Sequence, residues 1–145
     1  MINKKIAAII VAEGFASRMK AFKPLLPMGK STIIETAIDT FKSVGIKDII
    51  IVTGKNVEEL EAHIEQTGVI CLRSDYTKNK MFDSTCLALN YLKDKCDMAF
   101  FTPVDSPLFT KYSLKQMILK MNSLNREVLC PCYLKEKGHP LLIKK

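Results

Sequence analysis

Runs of hydrophobic residues alternate with amphipathic stretches along the whole chain. Apolar runs rich in β-branched residues at Ile6–Val11, Asp48–Thr53 and Met98–Val104 are typical of strands that are covered on both faces of a sheet. A shorter run, Val69–Leu72, predicts a further strand. Glu127–Tyr133 and Gly138–Ile143 predict two last extended segments. The strands are therefore spread over the full length of the chain.

The stretches between these strands have apolar residues at helical spacing. The first follows Ser31 and Thr32, which are candidate N-caps, and ends at Gly45, a residue suited to stopping a helix. The same spacing predicts three more helices: Val57–Gln66, one capped by Asp83 or Ser84 that runs to about Leu92, and Ser113–Leu124. Alternating strands and helices predict one domain with a three-layer Rossmann-like α/β fold, in which helices cover both faces of an open, mostly parallel sheet.

Composition narrows the class of protein. The 145 residues are 48% hydrophobic and 26% charged, as in ordinary globular domains. No apolar run approaches the roughly 18–20 residues that span a bilayer, and the five cysteines, an odd number, favour reduced thiols over a disulfide framework. These features predict a cytoplasmic protein with no membrane partner. The net charge of +7 is scattered rather than clustered, which argues against nucleic acid as a partner.

The turn after the first strand contains a set of residues suited to gripping a polyphosphate. Gly14 lets the backbone approach a ligand closely, Ser17 offers a hydroxyl, and Arg18 and Lys23 offer cations. An ordinary polar loop with two exposed cations is an equal alternative from composition alone. The later sequence Gly29–Thr32 resembles the end of a P-loop, but Pro24 occupies the position where that motif requires glycine.

Two residues near the ends of later strands are further candidates. Asp105 follows the fourth predicted strand, where a carboxylate can hold Mg²⁺ against a triphosphate. The alternative is that Asp105 caps the turn before Pro107. His139 stands between Gly138 and Pro140, and a lone histidine of this kind is usually a polar surface residue.

Five blocks, in this order along the chain, resemble the nucleotidyltransferases that build the dinucleotide forms of the molybdenum cofactor. They are AAIIVAEGFASRM at Ala7–Met19, KPLLP at Lys23–Pro27, KMFDS at Lys80–Ser84, PVDSP at Pro103–Pro107 and GHP at Gly138–Pro140. Members of that family have the fold of nucleotide-diphospho-sugar transferases, which agrees with the fold class predicted above. The resemblance implies a nucleoside triphosphate, CTP or GTP, as one substrate and Mg²⁺ as the cofactor.

The resemblance also implies a role for each matching residue. Arg18 and Lys23 would hold the phosphates, and Asp105 would ligate Mg²⁺, so these three are the candidate catalytic residues. The remaining nucleotide-binding candidates are Ala12, Glu13, Gly14, Ser17, Ser74 and Ser84. His139 would lie on the side of the acceptor, a molybdopterin-like phosphate whose oxygen attacks the α-phosphorus in line.

Several positions depart from the family pattern. Glu13 replaces a small residue in the nucleotide loop, and Val104 replaces the glycine before the metal aspartate; Lys20, Lys80 and Phe82 also replace glycines. Relatives continue past the position of Lys145 through a Gly-Asp segment that supplies a second acidic metal ligand. The expectation is a domain without that segment, with a molybdoenzyme or a further domain after Lys145 as a candidate partner.

The leading hypothesis is a Mg²⁺-dependent nucleotidyltransferase that transfers CMP in preference to GMP to an acceptor such as molybdopterin and releases pyrophosphate. The preference for CTP rests on the resemblance of the first two blocks to the cytidylyl branch of the family. Two alternatives stay open. One is a nucleotide-binding module without catalysis, and the other is a related transferase that acts on a sugar or polyol phosphate.

Overall fold

The computed structural model describes residues 5–12, 27–28, 31–53, 61–62, 67–73, 80–103, 109–123, 127–133 and 136–144. Three helices lie within these ranges: α1 (Ile33–Ser43), α2 (Lys80–Tyr91) and α3 (Lys111–Ser123). The strands are β1 (Ile6–Val11), β2 (Pro27–Met28), β3 (Ser31–Thr32), β4 (Asp48–Thr53), β5 (Ile70–Arg73), β6 (Met98–Pro103), β7 (Val128–Leu129), β8 (Cys132–Tyr133), β9 (Glu136–Lys137) and β10 (Leu141–Lys144).

Six strands form one open sheet in the order β5-β4-β1-β6-β10-β7. The neighbours among β5, β4, β1 and β6 pair in parallel, whereas β10 pairs antiparallel with both β6 and β7. The pairs β2–β3 and β8–β9 are short antiparallel ladders outside this sheet. The mixed, mostly parallel sheet confirms the predicted fold class.

The sheet is buried on both faces, as its apolar strands require. Alternate residues of β1 point to opposite faces: Ala8 and Ile10 join a hydrophobic cluster with α1 and α3, while Ala7 and Ile9 join a second cluster with α2. These residues are fully buried. Continuous rather than alternating hydrophobicity in β1, β4 and β6 therefore follows from helices on both sides.

Helix α1 begins and ends as the sequence predicts. Thr32 and Glu35 form a capping box, in which the Glu35 amide donates to Thr32 Oγ1 at 3.3 Å and the Thr32 amide donates to Glu35 Oε1 at 3.0 Å. Each bond satisfies a backbone donor that the helix leaves without a partner. Beyond the last turn, Gly45 has φ of +86°, a conformation that favours glycine.

Helix α2 begins earlier than predicted, and the prediction that Asp83 or Ser84 caps it is wrong. Both lie inside the helix, which starts at Lys80. A polar residue such as Asp83 can lie within a first turn as well as before it, and Lys80 and Met81 are good helix formers, so the helix begins before both candidates. Ala88 and Leu92 are buried against the sheet. Of the predicted helix Val57–Gln66 the structure describes residues 61–62, which are helical.

Among the residues that the structure describes, no helix is long and apolar enough to cross a membrane. None of the five cysteines forms a disulfide, and none is fully buried: Cys86 and Cys132 are exposed, and the other three are partly buried. Cys132 lies in β8, and Cys130 lies in the connection between β7 and β8.

The half-buried Cys71 thiol is expected to react far more slowly than an exposed one. Burial, and secondarily the Glu61 carboxylate, raise the pKa of Cys71 from 9.0 to about 11. Because the thiolate is the nucleophile, a rise of two units lowers the reactive fraction at pH 8 about 100-fold. Iodoacetamide labelling followed by peptide mass spectrometry should show that Cys86, which is exposed, is labelled before Cys71. Equal rates at the two thiols would contradict this prediction.

Candidate active site

Three parallel strands stop together at one edge of the sheet. Val11, the last residue of β1, lies opposite Val52 of β4 and Pro103 of β6. The Ala12 amide then donates to the Val52 carbonyl at 2.8 Å, which extends the ladder by one residue. The segments after β1, β4 and β6 therefore all leave the sheet at this carboxyl edge, where open α/β sheets bind ligands.

Two buried threonines lie at the carboxyl ends of the strands that flank β1. Thr53 and Thr102 are fully buried, at the carboxyl ends of β4 and β6. The Thr53 hydroxyl donates to the Leu72 carbonyl at 3.5 Å, and the Thr102 hydroxyl donates to the Pro103 carbonyl at 3.2 Å. Buried hydroxyls need such partners. Neither threonine is among the residues predicted from sequence, although a threonine at the end of an apolar strand is a usable signal.

The segment that contains Asp105 is held at both ends. It leaves β6 at Pro103, which is buried, and it returns at Phe109, whose ring centroid lies 4.8 Å from that of Phe41 in α1. Immediately afterwards the Ser113 amide donates to Thr110 Oγ1 at 3.1 Å, at the start of α3. The core therefore fixes both Pro103 and Phe109. Residues 104–108, which include Asp105, connect these two fixed positions.

His139 lies at the same edge, on the far side of β6 from β1. It precedes β10, whose first residue, Leu141, pairs with Phe101 near the carboxyl end of β6. The side chain of His139 is exposed. The adjacent Gly138 amide donates to the Pro131 carbonyl at 2.8 Å. Because β10 is two strands from β1, the two are about 10 Å apart.

The predicted site residues are described to different extents. Ala12 is buried at the end of β1, and Ser84 lies in the second turn of α2. The roles of the other predicted nucleotide-binding and metal residues stay predictions. The structure does not describe these residues, which are Glu13, Gly14, Ser17, Arg18, Lys23, Ser74 and Asp105. What the structure does show is where their segments start, because each follows a strand that ends at the carboxyl edge.

A metal cluster is absent from the part of the chain that the structure describes. Within it, no three His, Cys, Asp or Glu side chains are grouped closely enough to hold a metal ion. Cys130 and Cys132 accordingly have no third ligand among these residues. Asp105, the predicted ligand, lies outside them.

The fold and the aligned strand ends define an open-sheet α/β domain, a class in which ligands usually bind at the carboxyl edge of the sheet. Comparison with known sequences makes this more specific. The sequence model of the MobA-like NTP transferase domain matches residues 8–145. The chain belongs to this family.

Similar proteins agree with that assignment. The chain is 33% identical over 113 residues to the bifunctional protein GlmU of Clostridium kluyveri, a match that covers 77% of this chain and 25% of GlmU. The chain thus spans about a quarter to a third of the length of the curated relatives that it matches.

Solved structures share the fold at low sequence identity. Rv0371c from Mycobacterium tuberculosis superposes with a TM-score of 0.83 at 18% identity and covers 100% of this chain and 74% of its own. Its complex with manganese gives a TM-score of 0.79 at 18% identity, with 97% and 71% of the two chains covered. A cytidylyltransferase from Leptospira borgpetersenii gives 0.77 at 18% identity, with 98% and 61% covered.

Proposed function

We propose that the protein is a nucleotidyltransferase that moves a nucleoside monophosphate from a triphosphate to a phosphate acceptor. The observation that carries the proposal is the common carboxyl edge of β1 and β6 in a chain of the MobA-like family. The loop with Gly14, Arg18 and Lys23 follows β1, and Asp105 follows β6. Because these strands are neighbours and end together, Val11 and Pro103, the last strand residues before the two segments, are about 5 Å apart.

The proposed chemistry is an in-line displacement at the α-phosphorus. An oxygen of the acceptor phosphate forms the new bond to the α-phosphorus, and the bond from this atom to the oxygen bridging the α- and β-phosphates breaks. Pyrophosphate leaves with that electron pair. Arg18 and Lys23 would neutralise the charge that grows on the leaving group. The nucleophile is already an anion, so positioning and charge neutralisation make up most of the catalysis.

A divalent cation held by Asp105 completes the donor half of the proposed site. Mg²⁺ prefers carboxylate and phosphate oxygens, and when bound it would neutralise the triphosphate charge. The manganese complex of Rv0371c supports dependence on a divalent metal.

CTP is the preferred donor in this proposal, and the acceptor is a molybdopterin-like phosphate. The similarity to a cytidylyltransferase supports the first choice. The Glu13 carboxylate could accept a hydrogen bond from the exocyclic amine of cytosine, but guanine carries such an amine as well, so this contact would favour CTP over UTP and not over GTP. The cytoplasm, where nucleoside triphosphates are abundant, is the proposed location.

Arg18→Ala is expected to weaken triphosphate binding. A guanidinium that bonds two phosphate oxygens contributes about 1.5–3 kcal/mol, so the Kd for CTP should rise about 10- to 100-fold by titration calorimetry. Lys47→Ala is the matched control, because Lys47 is exposed next to β4 at the opposite edge of the sheet. An unchanged Kd in Arg18→Ala would show that Arg18 does not contact the triphosphate.

A panel of donors and acceptors tests the proposal as a whole. Pyrophosphate release is measured with CTP, GTP, ATP and UTP, each with Mg²⁺ and with molybdopterin, glucose 1-phosphate or a polyol phosphate. Release that requires CTP and molybdopterin supports the full proposal. Tight nucleotide binding with no release from any pair would indicate a binding module instead.

A further inference from the structure

Two cysteines lie close together where the chain passes from β7 to β8. Cys130 and Cys132 are separated by Pro131 alone, and no other two cysteines are so close in the sequence. We call Cys130 and Cys132 the thiol pair. The nucleotidyl transfer proposed above uses neither thiol.

The backbone places both thiols on one side of an extended segment. Cys130 precedes a proline, a position that favours extended backbone, and Cys132 lies in β8. In extended backbone the side chains of residues i and i+2 point to the same side, and both thiols do line the same groove, about 390 Å³ in volume, beside α3. At 3.3 Å per residue their Cα atoms are about 6.6 Å apart, and a disulfide joins Cα atoms about 4.4–6.8 Å apart. The thiol pair is therefore within reach of one disulfide.

The two thiols differ in access in the way that disulfide exchange requires. Redox-sensing pairs combine an accessible thiol, which reacts first, with a resolving thiol beside it. Cys132 is exposed, whereas Cys130 is partly buried. The Cys130 Sγ atom lies 3.5 Å from the carbonyl oxygens of Pro131 and Gly138. Cys132 is therefore suited to attack a reagent, and Cys130 is suited to resolve the product.

We propose that Cys130 and Cys132 form a reversible disulfide by exchange with a small disulfide such as glutathione disulfide. The Cys132 thiolate attacks one sulfur of the small disulfide, so that a mixed disulfide forms and one small thiolate leaves. The Cys130 thiolate then attacks Sγ of Cys132 and displaces the second small thiolate. Two protein thiols become one disulfide, one small disulfide becomes two thiols, and the protons of the protein thiols pass to the two leaving thiolates.

Closure of this disulfide changes how Gly138 is held. In the reduced protein the Cys130 thiol donates to the Gly138 carbonyl at 3.5 Å, and the Gly138 amide donates to the Pro131 carbonyl at 2.8 Å. Closure consumes the donor of the first bond and turns Cys130 Sγ toward Cys132. Because Gly138 directly precedes His139 and then β10, oxidation loosens the attachment of this segment.

Equilibration with glutathione tests the disulfide without any catalysis. The reduced chain is incubated in mixtures of reduced and oxidised glutathione, alkylated and analysed by peptide mass spectrometry. An internal disulfide depends on the square of the reduced glutathione concentration, whereas a mixed disulfide depends on its first power. Tenfold dilution of the mixture at a fixed ratio should therefore raise the ratio of disulfide to dithiol about tenfold at the thiol pair. Glutathionylation of Cys86, which is exposed on α2, should not change.

Serine variants test the two steps separately. Cys130→Ser removes the resolving thiol, so Cys132 should accumulate as the mixed disulfide with glutathione. Cys86→Ser is the matched control, and its thiol pair should close as in the wild-type chain. A wild-type chain that keeps the mixed disulfide at Cys132 without closing it, or that links Cys132 to a different cysteine, would overturn the proposal.

Amide hydrogen exchange, followed by NMR, tests the structural consequence. Oxidation should speed exchange of the Gly138 amide about two- to fivefold, as expected for the loss of one weak hydrogen bond. The Gly45 amide, which donates to the Lys42 carbonyl at 3.0 Å, is the control and should exchange at the same rate in both states. An unchanged rate at Gly138 would contradict the loosening of this segment.

The effect on activity rests on the nucleotidyl transfer proposed above. With His139 on the acceptor side, oxidation should raise the KM for the acceptor, leave the KM for CTP unchanged, and be reversed by dithiothreitol. If the disulfide forms and the acceptor KM does not change, the link to the site is overturned and the disulfide stands. If no acceptor supports transfer, the proposed function fails, and the glutathione equilibrium still decides whether the disulfide exists.

Discussion

Asp105→Ala is expected to abolish Mg²⁺-dependent pyrophosphate release, with kcat lowered at least about 1,000-fold. A bound metal ion contributes several kcal/mol to stabilising the charge of the transition state, and each 1.36 kcal/mol is a factor of ten in rate. Asp105 is the sole acidic residue between Pro103 and Phe109, so no neighbour in this segment can replace it. The measurement is a coupled pyrophosphate assay at saturating CTP and acceptor.

Asp48→Asn provides the control for that substitution. Asp48 is exposed and begins β4, at the edge of the sheet opposite the proposed site, so its loss should leave kcat within a factor of two or so of wild type, in line with the small effects of surface changes. Full activity in Asp105→Ala would show that Asp105 does not hold a metal ion that the reaction needs. Titration of Mg²⁺ against both variants shows whether the lost activity follows metal affinity.

Phe41→Ala is expected to lower the free energy of unfolding by about 3–5 kcal/mol, a large part of the 5–15 kcal/mol typical of a domain. Phe41 is fully buried in α1. Its ring centroid lies 5.7 Å from that of Phe100 in β6 and 4.8 Å from that of Phe109. The substitution leaves a cavity where helix, sheet and the anchor of residues 104–108 meet. Urea denaturation followed by circular dichroism measures the change.

Leu119→Ala on α3 is the control that distinguishes the loss of core packing from the loss of any apolar side chain. Leu119 is 56% exposed, so its removal should change the free energy of unfolding by less than about 0.5 kcal/mol. If Phe41→Ala and Leu119→Ala lowered stability equally, the described core would be wrong. Since Phe109 depends on Phe41, we also expect Phe41→Ala to raise the Mg²⁺ concentration needed for half-maximal activity.

The central strands could be predicted from the sequence to the residue or nearly so. Ile6–Val11 and Asp48–Thr53 have the predicted bounds, because burial on both faces demands an unbroken apolar run and nothing else competes for it. The start of α1 was predicted to within one residue, because Ser31 and Thr32 were both candidate N-caps; the capping box of Thr32 and Glu35 in the structure identifies Thr32 as the cap.

Other parts of the fold depend on contacts that a local pattern does not encode. The start of α2 at Lys80 was missed because a polar residue can cap a helix or lie within its first turn, and packing against the sheet decides between the two. The antiparallel insertion of β10 between β6 and β7 is also set by long-range pairing. Sequence patterns predict that a strand exists far better than they predict its neighbours.

The candidate site was predicted residue by residue only through the family resemblance. Composition alone left Arg18, Lys23 and Asp105 as plausible polar loop residues, because cations and carboxylates are common in loops. The structure adds that their loops start from neighbouring strands that end together at Val11 and Pro103.

The most direct test of nucleotidyl transfer is a single-turnover reaction of the wild-type chain with CTP labelled at the α-phosphate, Mg²⁺ and molybdopterin. Our account predicts that the label moves to the acceptor in step with pyrophosphate release, and that chelation of the metal stops both. If the chain binds CTP but the label stays in the nucleotide with every acceptor tried, nucleotidyl transfer is contradicted.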